Sequence, residues 1–249
     1  MIRIVSFDFW FTLVWEDLEG LKYYQDRRIE VLYNALRNYT DVSLDEVRVF
    51  YKSTGGIRML VSNKELIKFI FRMAGLTPTD DILDDIVKEY EEVVDNWKPH
   101  VNEEAYGVLE GLKKLGYKIA IISNTSFSER SLWFIIRNVG FDKYIDGVIA
   151  SSEVGYIKPM REIFRELFNK FNVSPKEVIH IGDSYFSDVI GAFNAGAYGV
   201  LYNGLWRYYI DEEDYKNAIS VNYNNRCIVL SNLNDIFNVL DRIESKGKL

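Results

Sequence analysis

The chain opens on an apolar run, residues 2–7, that Asp8 breaks at once, the pattern of a short buried strand ending in a carboxylate. Residues 16–98 read differently. Their apolar positions recur at helical spacing behind helix-start signals. Ser43 and Ser62 each stand three residues before a glutamate, Glu46 and Glu65, which predicts two capping boxes. Leu66, Ile67, Ile70 and Met73 follow the second at helical intervals. Residues 80–97 predict another helix, acidic on one side. No strand signal of comparable strength interrupts this stretch, so it reads as an all-helical insert.

Alternation of strand and helix sets in after residue 100. A helix over 103–115 closes at Gly116, residues 118–122 form an apolar strand running into Ser123 and Asn124, and a helix over 129–139 closes at Gly140. A strand at 147–150, a loop through Gly155, Lys158 and Pro159, and a helix at 160–172 come next. Ser174 and Glu177 bound one capped turn before the strand 178–181, which ends in Gly182-Asp183-Ser184. A helix then runs to Ala195-Gly196. It is followed by a strand at 198–202, an Asn-rich loop at 222–225, a weaker strand at 227–230 and a helix at 233–244. This alternation predicts an α/β fold, a doubly wound parallel Rossmann-like sheet. Residues 1–15 and 99–249 would form that domain, interrupted by the helical segment 16–98.

Composition narrows the chemistry. Hydrophobic residues make up 48% of 249 positions, ample for a sizeable core. A net charge of −7 leaves no basic footprint for nucleic acid. No run approaches the roughly 18 apolar residues of a membrane span. The opening residues lack the pattern of a signal peptide, so a cytoplasmic location is expected. One cysteine excludes a disulfide framework and a cysteine zinc site, and two histidines leave little room for histidine metal chemistry. Any catalysis falls to carboxylates, hydroxyls and lysine.

Open parallel sheets bind ligands at the carboxyl ends of their strands. Asp8, Ser123 and Asp183 each follow an apolar strand directly, and Lys158 lies in the loop after another. Taken singly, each is an ordinary turn or cap residue. Taken together, with Phe7-Asp8-Phe9-Trp10-Phe11-Thr12-Leu13, Ile121-Ile122-Ser123-Asn124, Gly155-Tyr156-Ile157-Lys158-Pro159 and Gly182-Asp183-Ser184 through Asp188 to Gly196, the sequence resembles the haloacid dehalogenase superfamily. The resemblance covers residues 1–14 and about 100–201. It implies an aspartyl nucleophile at Asp8, charge moderation by Lys158, and a small phosphorylated substrate held by Thr12, Ser123 and Asn124. It also implies Mg²⁺ on Asp8, Asp183 and the backbone carbonyl of Trp10, with Asp188 in support, and a cap at 16–98. The electrostatics agree: a phosphate dianion beside three aspartates repels unless a hard cation intervenes.

One position departs from the pattern. Phosphatases of the superfamily carry a second Asp two residues after the nucleophile, as proton donor and then base. Here that residue is Trp10, and the usual Gly before the Thr is Phe11. Indole transfers no proton, and general acid–base catalysis is worth roughly 10²–10⁴-fold. Three readings stay open on the sequence: an Mg²⁺-dependent phosphohydrolase, a 2-haloacid dehalogenase, or a relative that only binds a phosphorylated ligand. Trp10 favours the second, since that branch carries an aromatic residue there and expels halide without acid or metal. Asp183 favours the first, since a dehalogenase has no use for a metal ligand there. His180 reads as a core histidine, His100 as a hinge residue, and Cys227 as a small buried hydrophobe. Trp15, Tyr23 and Tyr24 read as core or as a pocket lining.

Overall fold

The structure, a computed structural model, describes residues 1–208 and 227–246. Its strands are β1 (Ile4–Phe7), β2 (Val14–Trp15), β3 (His100–Val101), β4 (Lys118–Ser123), β5 (Gly147–Ala150), β6 (Val178–Gly182), β7 (Tyr198–Tyr202) and β8 (Ile228–Leu230). Six form one parallel sheet in the order β5-β4-β1-β6-β7-β8, as the alternating pattern predicts. Successive strand residues point to opposite faces. Val5, Phe7, Ile119 and Ile121 therefore join one core, closed by α5 (Ala105–Lys114), α6 (Glu129–Asn138) and α10 (Ile236–Lys246). Ile4, Ala120 and Ile122 join another, closed by α8 (Arg161–Phe171) and α9 (Gly191–Ala195). Register aligns Phe7 with Ile121 and Ile181, so the residues after β1, β4 and β6 reach the same edge of the sheet.

Between β2 and β3 the chain forms four helices: α1 (Leu18–Leu36), α2 (Leu44–Ser53), α3 (Asn63–Met73) and α4 (Asp80–Glu92). Ile29, Leu32, Tyr51, Leu66, Ile70, Leu83 and Tyr90 belong to their own hydrophobic cluster. Tyr24, Val94 and Trp97 pack into the sheet's core instead, so the ends of the segment are rooted beside β1. Ser43 and Glu46 form the full capping box; at Ser62 only half of it forms, because Glu65 turns toward Lys68. No helix among the described residues is long and apolar enough to cross a membrane.

Several elements depart from the sequence pattern for identifiable reasons. The antiparallel pair β2–β3 has no sequence signal, because two residues are too few to show a period. The helix expected at 80–97 stops at Glu92, because Val94 and Trp97 turn away from α4 into the core. The carbonyls of Val94, Asp95 and Trp97 there accept from one side-chain amide, Asn138 Nδ2, at 3.2, 2.7 and 2.9 Å. The helix expected to run to Ala195-Gly196 begins as a π-helical turn, Tyr185–Ile190. Cys227 is half-buried beside Val189, Leu201 and Trp206, since β8 lies at the sheet edge. The Asn-rich loop expected at 222–225 lies outside the described residues.

Replacing Asn138 by Ala leaves three carbonyls without their shared donor. Urea unfolding of Asn138→Ala is expected to show a loss of about 1 kcal/mol, the net worth of hydrogen bonds lost at a half-buried site; an unchanged midpoint would show that water replaces the amide.

Candidate active site

The site is organised by one buried ammonium. Lys158 is 3% exposed and sits on the loop between α7 (Ser151–Val154) and α8. Its Nζ donates to Asp8 Oδ1 at 2.7 Å, to Asp188 Oδ1 at 2.6 Å and to the Ile122 carbonyl at 2.9 Å. All three of its protons are therefore accepted. Asn124 holds the lysine backbone from both sides: its Oδ1 accepts from Lys158 N at 2.7 Å and its Nδ2 donates to Lys158 O at 3.0 Å. Burial works against the charge, but Asp188 and Asp8 outweigh it and push the ammonium up to about 12.

Behind the lysine runs a polar chain through the sheet. His180 Nε2 lies 3.0 Å from Asp188 Oδ1, and His180 Nδ1 lies 3.0 Å from Ser6 Oγ. Burial lowers the imidazole's affinity for a second proton. A neutral ring beside an ionised carboxylate carries its proton on Nε2 and accepts from Ser6 on Nδ1. Burial alone would raise Asp188, yet Lys158 and His180 hold it well below the usual carboxylate range. Its second oxygen accepts from Ser184 N at 2.9 Å. That bond folds the Asp188 side chain back over Gly182, where a Cβ would overlap the carboxylate, so this position is closed to any side chain. The π-helical turn is the backbone's accommodation of the same contact.

Asp8 ends β1, where its N–H donates to Ile181 O at 2.8 Å. Burial, and then the charges of Asp188 and Asp183, push its carboxyl up to about 8 against the pull of Lys158. Asp183 is half-buried, and its carbonyl accepts from Trp206 Nε1 at 2.9 Å. The chain after Asp8 makes a tight turn in which Leu13 N and Val14 N both donate to Phe9 O. Phe11 adopts φ +58°, a left-handed conformation that costs a non-glycine residue about 1–2 kcal/mol. The buried Asn102 fastens the turn, donating to Thr12 O and to Tyr202 Oη at 2.9 Å each.

These groups open on a cavity of about 360 Å³ whose wall includes Asp8, Lys158, Asp183, Asp188, Asn124 and Trp10. The Trp10 indole packs against Phe9, Trp97 and Phe127 with ring centroids 5.1–5.9 Å apart. Thr12 and Ser123 are buried outside the cavity's wall, each with a hydroxyl that lacks a hydrogen-bond partner. Tyr24 lines the cavity, Tyr23 is exposed, and Trp15 stacks on His100 and Tyr208 away from it. The sequence reading missed Glu16, which also stands in the wall. No local signal marks it: Asp17 caps α1, accepting from Gly20 N at 2.8 Å, and the adjacent Glu16 reads in the sequence as an ordinary polar residue beside that cap.

A family model for haloacid dehalogenase-like hydrolases matches residues 2–196. The chain is 33% identical over 147 residues to the mouse (Mus musculus) haloacid dehalogenase-like hydrolase domain-containing protein 3, covering 57% of this chain and 55% of that one. It is 33% identical over 92 residues to glyceraldehyde 3-phosphate phosphatase of Methanothermobacter thermautotrophicus, covering 37% of this chain and 40% of the relative. The chain thus spans about half the length of the curated relatives it matches, or less. In fold it resembles a 2-haloacid dehalogenase from Pseudomonas syringae, with a TM-score of 0.65 at 18% identity over 97% of this chain and 99% of that one. With the family model matching from β1 through α9, the chain belongs to the haloacid dehalogenase-like hydrolases.

Proposed function

We propose that the chain is an Mg²⁺-dependent phosphohydrolase acting on a small phosphorylated molecule through an aspartyl nucleophile, Asp8. The observation that carries this reading is the acidic group itself. Asp8, Asp183 and Asp188 each offer an oxygen, all within 4.8 Å of one another, against the single ammonium of Lys158. Hard oxygen donors with excess negative charge suit Mg²⁺. Asp8, Asp183 and the Trp10 carbonyl would hold the ion, with Asp188 steadying the set from behind. Bound there, it offsets the charge of the substrate's phosphoryl group.

The protein's own groups supply the rest. Lys158 keeps Asp8 placed and moderates its charge. The unpartnered hydroxyls of Thr12 and Ser123 lie buried behind the cavity's wall, and would have to turn into the cavity to donate to phosphoryl oxygens. The helical segment 16–98 would act as a cap on the core formed by 1–15 and 99–249, and would set the choice of substrate. The named activity of the Methanothermobacter relative supports this reading. One observation favours a second reading, 2-haloacid hydrolysis: the aromatic ring at Trp10, where phosphatases keep an acid.

Calorimetric titration is expected to show Mg²⁺ binding that Asp183→Asn weakens by at least about tenfold, since one of few charged ligands is lost; equal affinity would remove Asp183 from the metal site. In a panel of phosphate esters with Mg²⁺, beside 2-chloropropionate without metal, phosphate release is expected. Asp8→Asn should abolish it by about 10³-fold or more, as loss of a nucleophile does. Metal-independent chloride release without phosphate release would establish the second reading instead.

A further inference from the structure

Trp10 leaves the phosphohydrolase reading short of a proton carrier. Expelling an alkoxide wants an acid, and hydrolysing an aspartyl phosphate wants a base. A carboxyl group outside the three-aspartate group stands in the same cavity. Glu16 shares the cavity's wall with Asp8, Trp10 and Lys158. It lies between β2 and α1, rooted by the pairing of Trp15 with His100 rather than carried on a loose loop. Its Oε2 is buried and has no hydrogen-bond partner among the described residues. Folding disfavours such an oxygen, so its place in a largely apolar wall that also holds Asp8 and Lys158 points to a ligand.

We propose, on the strength of the phosphohydrolase reading above, that Glu16 is the acid and base of the reaction, replacing the carboxylate absent at Trp10. In the first step an Asp8 carboxylate oxygen bonds to phosphorus, the phosphorus–oxygen bond to the leaving group breaks, and Glu16 gives its proton to the departing oxygen. In the second, a water oxygen attacks the aspartyl phosphate, Glu16 takes the water's proton, and inorganic phosphate leaves as Asp8 is restored. The environment suits both tasks. Burial, and then the charge of Asp17, push the Glu16 carboxyl up to about 7 against the pull of the Tyr24 hydroxyl. Near that value both protonation states are populated at neutral pH.

The leaving group separates this role from a structural one. With an alkyl phosphate, Glu16→Gln is expected to slow phosphoryl transfer by about 10²-fold or more, the worth of a general acid. With 4-nitrophenyl phosphate, whose phenolate leaves unaided, the first step should stay within about threefold of wild type. Dephosphorylation should then limit the variant, and rapid mixing with Mg²⁺ should show a nitrophenolate burst of one per site that wild type lacks. Melting temperatures of both proteins check the fold. Equal slowing of both esters, or no slowing and no burst, would overturn the role of Glu16 while leaving the phosphohydrolase reading intact. Wild type inert toward every phosphate ester would overturn that reading, and the proposal falls with it.

Discussion

The geometry of this site hangs on a cation taken out of water. An ammonium as buried as Lys158 is tolerable only when every proton has an acceptor, and its three acceptors come from three places: Asp8 at the end of β1, Ile122 in β4, and Asp188 in the π-helical turn after β6. Removing one charged partner of such a set costs about 3–5 kcal/mol. Those acceptors meet only if β1, β4 and β6 are neighbours in the observed register, if Gly182 has no side chain, and if the turn after it is wound wide enough to admit Asp188. The fold's central strand order and the site's charge arrangement are therefore one constraint seen from two sides.

The helical segment is tied to this arrangement through a second buried cation. Arg28 on α1 is fully buried, with its guanidinium carbon 4.5 Å from the Tyr90 ring centroid and 4.4 Å from that of Phe127. Its Nη1 donates to Ser126 Oγ at 3.0 Å. Ser126 and Phe127 both border the cavity, on the loop that begins at Asn124. The same loop thus grips Lys158 at one end and Arg28 at the other. Aromatic faces take the place of a carboxylate around the arginine, which keeps a further negative charge away from the acidic cluster.

What was legible in the sequence follows from how local each signal is. Asp8, Asp183 and the Ser123-Asn124 pair stand at the ends of apolar runs that had to be strands, so their shared edge followed from the fold. Lys158 and Asp188 were legible through motif resemblance, and the structure brings both to Asp8. Glu16 was not legible, because its burial comes from packing at the root of the insert. The end of α4 depends on Asn138, distant in sequence, and the π-helical turn depends on a side chain folding back over a glycine. Asn124 was expected to hold phosphate; its amide is engaged on both sides by the Lys158 backbone, a pairing that no spacing rule reveals.

The ribbon of β2 and β3 has a consequence for how such a chain diversifies. Trp15 and His100 are cross-strand partners whose rings stack with centroids 4.1 Å apart, so the helical segment leaves and re-enters the sheet domain at adjacent points. Loop-closure entropy grows only slowly with length. Within a segment hung from such a narrow gate, the stretch between its two anchored ends can change length without disturbing the register of β1 against β4. The gate separates two rates of change: the residues inside the sheet and those that root the segment on it stay locked, while α2 and α3, packed in the helices' own cluster, are freer to vary.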